Sequence, residues 1–251
     1  MIIINYCSKI KIYFKLEKNM AKVIIFSGAG ISAESGISTF RDSDGLWENH
    51  KIEDVCMKGC LDTNRDMTIK FYDMLRTNLK DKEPNHAQKI VAKLKNKYPN
   101  EIAIITQNVD DMFEKAGCKD LLHVHGFLKE LRCENCNHVL NINYEEQFAK
   151  YEDCPKCNNK LRPNIVFFGD AAPKYQEFYK EFDDCEMFIV IGTSGAVVNT
   201  DMFLNPDIKI SILNNLEPSF YIKEEVYTKA IFKPASKAID EIAFDIEEFL
   251  K

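Results

Sequence analysis

Val23-Ile24-Ile25-Phe26-Ser27-Gly28-Ala29-Gly30-Ile31-Ser32-Ala33 is the stretch on which the fold turns. Val23 to Phe26 is a short apolar run with the length of a strand buried on both faces. The turn behind it satisfies G-x-G-x-x-A over Gly28 to Ala33. Glycines let a backbone approach a pyrophosphate closely, and the first turn of a following helix offers unbonded amide donors to it. The same residues also suit an ordinary strand-to-helix turn. The acid that contacts a ribose about 20 residues onward in the standard fingerprint has no clear counterpart, since no strand precedes Glu48. Any ribose contact therefore differs from the usual one.

Outward from this stretch, three further apolar runs read as parallel strands: Ile102 to Thr106, Met187 to Gly192 and Ile208 to Leu213. Helical spacing over Ala87 to Tyr98 and Ile239 to Leu250 alternates with them, which predicts an α/β fold with a doubly wound parallel sheet. Two stretches interrupt the alternation. Phe40 to Glu83 is mostly polar and helical, and about Leu131 to Arg162 carries cysteines. Both read as inserts.

The bulk properties fit one large domain, or a main domain with a small insert. The chain has 251 residues, 45% of them hydrophobic, enough for a substantial core. A net charge of −6 and a pI near 5.5 give no general attraction to nucleic acid or anionic membrane, so neither is expected as a partner. No run is long enough to span a bilayer. Lysines at 9, 11, 15 and 18 interrupt the first apolar segment, so no signal peptide is expected, and a cytoplasmic location follows as the expectation. Met20 lies directly before the first strand, and residues 1–20 read as an N-terminal extension. Oligomeric state is not legible.

Nine cysteines would suit a secreted disulfide framework, but the number is odd and four of them form two C-x-x-C pairs. Cys133 and Cys136 stand seventeen residues ahead of Cys154 and Cys157, within the range for two zinc knuckles. Two such turns complete a closed tetrahedral site without a water position, which is structural. A redox pair or plain buried cysteines are the rival readings. Cys7, Cys56, Cys60, Cys118 and Cys185 have no partner spacing and read as small core or surface residues.

At the end of the second strand, Gln107-Asn108-Val109-Asp110-Asp111 gathers hydrogen-bonding side chains at the sheet edge where ligands sit in open α/β folds. Leu121-Leu122-His123-Val124-His125-Gly126 follows, with two histidines on one face if the segment is extended. Gly126 permits close approach beside His125, whose imidazole titrates near neutrality, so His125 is the candidate general base. His50, His86 and His138 read as structural. Gly192-Thr193-Ser194-Gly195 makes another glycine and hydroxyl turn, or a helix cap. Asn214 and Asn215 follow the next strand and suit a turn cap or a ribose contact equally.

Together, Gly28-Ala29-Gly30-Ile31-Ser32 with Thr39-Phe40-Arg41, Thr106-Gln107-Asn108-Val109-Asp110, His125-Gly126, the four cysteines and Gly192-Thr193-Ser194 resemble the sirtuin family, in order, from about Lys22 to the C-terminus. Asp44-Gly45-Leu46-Trp47 and His123 to Phe127 are similar to its bacterial deacylases. The resemblance implies a Rossmann-like domain (residues 21–39, 85–126 and 165–251) beside a small domain built from a helical insert (40–84) and a zinc module (127–164). It implies NAD as a consumed co-substrate, one structural Zn2+, and acyl-lysine proteins or peptides as partners. In that family the acyl oxygen attacks the nicotinamide ribose, nicotinamide leaves, and a histidine activates a ribose hydroxyl, giving free lysine and O-acyl-ADP-ribose. His125 takes that role here, with Asn108 and Asp110 positioning nicotinamide and ribose, and Gln107 a ribose contact. Positive charge building on the ribose as nicotinamide leaves calls for nearby carboxylate and amide oxygens, and Asp110 can supply a negative charge. Gly28, Ala29, Gly30, Ile31, Ser32, Phe40, Arg41 and Val109 would surround the nucleotide, and Gly192, Thr193, Ser194, Asn214 and Ala235 its adenosine end. Substrate would add as a strand between Val166-Phe167-Phe168-Gly169 and Gly195-Ala196-Val197.

Ser38 stands where the family often has proline, Phe113 where many relatives have histidine, and Asp170 where glutamate is common. Succinyl- and malonyl-accepting members carry Tyr-x-x-Arg, whereas here Tyr72 is followed by Arg76, four residues on, a spacing that still shares a helix face. Tyr72 and Arg76 are therefore acyl-site candidates, and the expected main activity is deacetylation. Desuccinylation or demalonylation, and ADP-ribosyl transfer or NAD hydrolysis, are the alternatives.

Overall fold

The structure is a computed structural model and describes residues 21–39 and 51–251. Its main sheet joins β1 (Val23–Ser27), β2 (Ile102–Thr106), β3 (Leu122–His123), β7 (Met187–Ile191), β8 (Ile210–Asn215) and β9 (Lys229–Phe232), all paired in parallel. The spatial order is β3-β2-β1-β7-β8-β9. Counted along the main sheet alone this is 3-2-1-4-5-6, the doubly wound Rossmann order, which reverses between β1 and β7. Ser27 is level with both Thr106 and Ile191, so the chain leaves β2, β1 and β7 side by side at Gln107, Gly28 and Gly192.

Alternate residues of the central strands point to opposite faces, which is why these runs are apolar throughout. Val23, Ile25, Ile102, Ile104 and Ile189 pack under the helices His86–Lys97 and Ala235–Phe249. Ile24, Phe26, Phe188 and Val190 pack on the other face against Phe178 and Phe203. The helix His86–Lys97 starts with a capping box: Asn85 Oδ1 accepts from the Ala87 and Gln88 amides, and Gln88 Oε1 accepts from the Asn85 amide.

Three points differ from the sequence reading. The edge strands β3 and β9 are too short for a periodicity to reveal. The strand expected over 208–213 lies two residues later, so Asn214 and Asn215 are inside β8 rather than behind it. The last helix starts at Ala235, directly after Pro234, four residues before the expected Ile239.

A second, antiparallel sheet of order β5-β4-β6 joins β4 (Gly126–Cys133), β5 (Val139–Asn141) and β6 (Leu161–Ile165). Its core is Leu131, Cys133, Ile142, Cys154 and Leu161. The helix Arg65–Asn78 contributes Ile69, Phe71 and Tyr72 to a further cluster shared with Leu128, Ile165 and Phe167. No helix among the described residues is long and apolar enough to cross a membrane. Phe40, Arg41, Asp44 to Trp47, His50, Cys7 and the first twenty residues lie outside the described residues.

Candidate active site

The loops after β1 and β7 are pressed together at the point where the sheet order reverses. Gly30 N donates to Gly192 O at 2.8 Å, and Gly28 N to Ile191 O at 3.0 Å. A Cβ on Gly28 would lie 2.8 Å from Gly192 O, and one on Gly192 would lie 2.4 Å from Ile31 N. Gly192 also has φ +66. Close backbone approach is thus the reason for these glycines, as the motif suggests. Gly192→Ala combines left-handed strain with overpacking, together about 2–6 kcal/mol. The expected result is a melting temperature lowered by roughly 4 °C or more, read by calorimetry.

Among the described residues, the main-chain N–H groups of Ala29, Thr193 and Ser194 donate to no protein acceptor, which leaves a row of donors at this edge. That donor set fits an anionic nucleotide. Ile31 and Ser32, in contrast, turn inward: Ile31 is in the core and Ser32 is 1% exposed. Gln88 Nε2 and Asn108 Nδ2 both donate to Ser32 Oγ, at 3.0 and 3.1 Å. Its one proton is left for the Asp110 carboxylate, with which it hydrogen-bonds. Asp110 Oδ1 also accepts from Met112 N. Burial pushes the Asp110 carboxyl above the usual range, and these two donors oppose that shift. Asn108 Nδ2 further donates to Gly28 O, and Gln107 Nε2 to Thr193 Oγ1 at 2.9 Å, so the polar segment after β2 grips both glycine loops. Val109 is half-buried against the helical insert. Asn214 is 1% exposed and donates to Ile231 O and Lys233 O, a strand-end brace rather than an open ligand contact. Ala235 is buried at the start of its helix.

The two histidines do not share a face. The chain turns at Val124 and His125, between β3 and β4, so the rings diverge. His123 is buried between the Asn108 carbonyl (Nδ1, 2.8 Å) and Glu114 (Nε2, 2.7 Å). His125 Nδ1 faces Gln107 O at 3.2 Å, and its Nε2 faces the Tyr175 hydroxyl at 2.9 Å. A carbonyl can only accept, so Nδ1 carries the proton and Nε2 presents the lone pair. Burial holds this imidazole below its ordinary pKa, with the Gln107 bond opposing. His125 is therefore a neutral ring at pH 7 whose basic nitrogen faces the Tyr175 hydroxyl. Gly126 fixes the turn: its φ is +95, and a Cβ there would fall 1.9 Å from Asn164 O on β6.

Val166 N donates to His125 O, and Phe168 exchanges bonds with Cys56 O and Lys58 N, both at 2.8 Å. Those contacts occupy the edge facing the helical insert. Among the described residues, Phe167 N–H and both main-chain groups of Gly169 make no backbone bond. Gly195, Ala196 and Val197 follow the β7 loop, and Ala196 and Val197 are exposed. Tyr72 is buried, its hydroxyl 3.5 Å from Cys56 Sγ and its ring stacked on Phe167 at 5.6 Å. Arg76 does not join it at an acyl carboxylate, and the sequence expectation is corrected here. Its guanidinium is fully buried, paired with Asp73, and donates from Nε to Leu128 O at 2.5 Å. Asp73 in turn accepts from the Gln147 and Phe148 amides at 2.8 Å. The pair ties the helix Arg65–Asn78 to the second sheet.

The four cysteine sulfurs lie within 4.8 Å of one another, with neighbouring separations of 3.4 to 3.7 Å. Those are too long for a disulfide and close to the ~3.8 Å edge of a tetrahedron with Zn–S bonds of about 2.3 Å. The Asn135 and Cys136 amides point at Cys133 Sγ and the Lys156 amide at Cys154 Sγ. Asn137 and Asn158, each directly after a second cysteine, take left-handed φ of +56 and +59, which closes both knuckles. The donor set fits one structural zinc ion. Cys56, Cys60, Cys118 and Cys185 are free and buried; burial raises the Cys56 thiol to about 11.

The sequence model of the Sir2 family matches residues 28–199. A protein of Campylobacter jejuni (strain RM1221), named NAD-dependent protein deacylase, is 45% identical over 92% of this chain and 98% of its own. One of the same name from Helicobacter hepaticus is 38% identical over 92% and 99%. Among solved structures, a Sir2 homolog–NAD complex superposes with TM-score 0.81 at 27% identity, covering 93% of this chain and 92% of that one. A Sir2 homologue mutant in complex with ADP-ribose gives 0.80 at 28%, over 94% and 97%. The Rossmann order, the interlocked glycine loops and the four-cysteine module thus occur together in a chain aligned along nearly the whole of its relatives, and the chain belongs to the Sir2 family.

Proposed function

We propose that this chain is an NAD-dependent protein-lysine deacylase with deacetylation as its main activity, releasing nicotinamide, free lysine and O-acyl-ADP-ribose. The observation that carries the reading is His125: a half-buried, neutral imidazole whose proton is pinned on Nδ1 by Gln107 O, leaving Nε2 as the base at the edge of a nucleotide-binding sheet. Ala29, Thr193 and Ser194 present main-chain donors to the dinucleotide, Gly28 and Gly30 let the two loops close beside it, and Phe40 and Arg41 belong to the same expectation. Asp110, supplied with donors by Ser32 and Met112, places a carboxylate where positive charge builds on the ribose. Asn108 and Gln107 orient the loops around it. The acyl-lysine segment adds along Phe167 and Gly169 opposite Gly195 to Val197, through main-chain bonds that read little sequence. Cys133, Cys136, Cys154 and Cys157 hold the zinc, which organises the second sheet and takes no part in acyl transfer. The enzyme works in the cytoplasm on acylated proteins. The division into a Rossmann-like core, a helical insert over 40–84 and a zinc module over 127–164 belongs to the same reading.

The acyl preference rests on Arg76. Arg76 Nε is held by Leu128 O and Nη1 by Asp73, so its charge is already paired although Nη2 has no partner among the described residues, and Tyr72 lacks a free cation to offset an acyl carboxylate. Burying an unpaired carboxylate costs several kcal/mol. We expect kcat/KM for an acetyl-lysine peptide to exceed that for the matched succinyl-lysine peptide by 10-fold or more, with nicotinamide and deacylated peptide appearing one for one. Equal turnover would remove the acetyl preference, and nicotinamide without deacylation would reassign the site to NAD hydrolysis or ADP-ribosyl transfer.

A further inference from the structure

His125 Nε2 has one lone pair, and the structure already fills it. The Tyr175 hydroxyl lies 2.9 Å away, and since Nδ1 holds the ring proton, the phenol must be the donor. The two rings are inclined by 29°, with centroids 6.0 Å apart. Tyr175 is the first residue of the helix Tyr175–Glu181 and is half-buried. Phe178, fully buried beneath the sheet, meets its ring edge-on at 5.6 Å, and Tyr179 lies at 6.2 Å. The ring is thus anchored from behind by apolar packing, while its polar end projects onto the base. Gly169, with φ +88, begins the loop that leads into this helix.

A ribose hydroxyl that is to give its proton to Nε2 must hydrogen-bond along the same lone pair. Two O–H donors cannot both do so at full strength. We propose that Tyr175 is a cap on the general base: in the ligand-free enzyme its hydroxyl saturates His125 Nε2, and the ribose hydroxyl enters by displacing it. This rests on the reading of His125 as the base. Tyr175 is accordingly a positioning residue that holds the imidazole in its productive tautomer before the nucleotide arrives and competes with the nucleotide for it. The competition is set by one neutral hydrogen bond, a net worth of about 2- to 10-fold in an equilibrium.

Tyr175→Phe keeps the ring and its packing and removes only the donor. In the full-length chain, the expected result is a KM for NAD, and a Kd for ADP-ribose by titration calorimetry, lowered about 2- to 10-fold. In 15N-histidine spectra of the ligand-free protein, the His125 Nε2 resonance should move toward that of an unbonded acceptor nitrogen in the variant. In the wild type it should respond when ADP-ribose is added. A KM and Kd unchanged or raised, or an Nε2 resonance that the substitution leaves in place, overturns the cap. His125→Gln run in parallel separates the two readings. A variant that still deacylates removes the base assignment itself, whereas an inactive His125→Gln beside an unmoved Tyr175→Phe removes only the cap. The wild-type spectra test the contact independently of whether any variant folds.

Discussion

His125→Gln is expected to lower kcat for deacylation by 10²- to 10⁴-fold, the usual contribution of a positioned general base, while the fold persists. A glutamine amide can still donate to Gln107 O, so the turn between β3 and β4 keeps its main-chain geometry and its bond from Val166 N. What is lost is the basic lone pair. The wild-type pH profile should carry the matching signature. Because burial holds the imidazole below its ordinary value of 6.5, the ring stays neutral and competent at pH 7, and kcat/KM should fall only as the pH drops below that range. A raised pKa would have put the loss above neutrality, so the position of the acidic limb decides between the two. Full activity in the variant, with an unshifted acidic limb, would show that another group takes the proton.

How much of this was legible beforehand follows the range of the interactions involved. The central strands announce themselves because both of their faces are buried, and Val23 to Phe26 needs no partner to be recognised as apolar. The doubled C-x-x-C declares a metal because each pair is local and the chemistry needs only the spacing. The structure added what is distant in sequence. Ser32 looked like a phosphate-loop hydroxyl, yet it is the hub on which Gln88 and Asn108 converge and from which Asp110 receives a proton donor. The only local hint was the capping box at Asn85, which fixes where Gln88 points. Tyr175 stands fifty residues from His125, inside an aromatic stretch that reads as plain core, and no periodicity connects them. Arg76 shows the reverse error. Its spacing from Tyr72 suggested a shared face, but helix geometry says nothing of Asp73 and Leu128, which claim the guanidinium first. The histidine pair failed for a local reason: the extended backbone assumed there turns at Val124.

Removing the zinc should cost the enzyme its activity by a route that does not touch the chemistry. The second sheet has five buried residues in its core, and two of them, Cys133 and Cys154, are ligands. Each fully buried apolar side chain contributes about 1.5–3 kcal/mol, while each residue ordered costs about 1–2 kcal/mol of backbone entropy. So small a core cannot hold the knuckles closed unaided, whereas structural zinc sites contribute on the order of 10–16 kcal/mol in small domains. The damage then travels along the strands. Gly126 at the head of β4 pairs with Ile165 on β6, Val166 N bonds His125 O, and Phe167 and Phe168 continue into the edge proposed to hold the substrate. Loosened knuckles free β4 and β6, and with them the turn that aims His125. Cys154→Ala is therefore expected to bind no zinc, against one per chain in the wild type, to become cleavable by protease between residues 134 and 160, and to lose at least about 100-fold in kcat/KM. The main parallel sheet, whose core is separate, should keep its cooperative melting transition. Atomic absorption, limited proteolysis and the deacylation assay on one preparation test all of this, and a metal-free variant with native turnover would refute it.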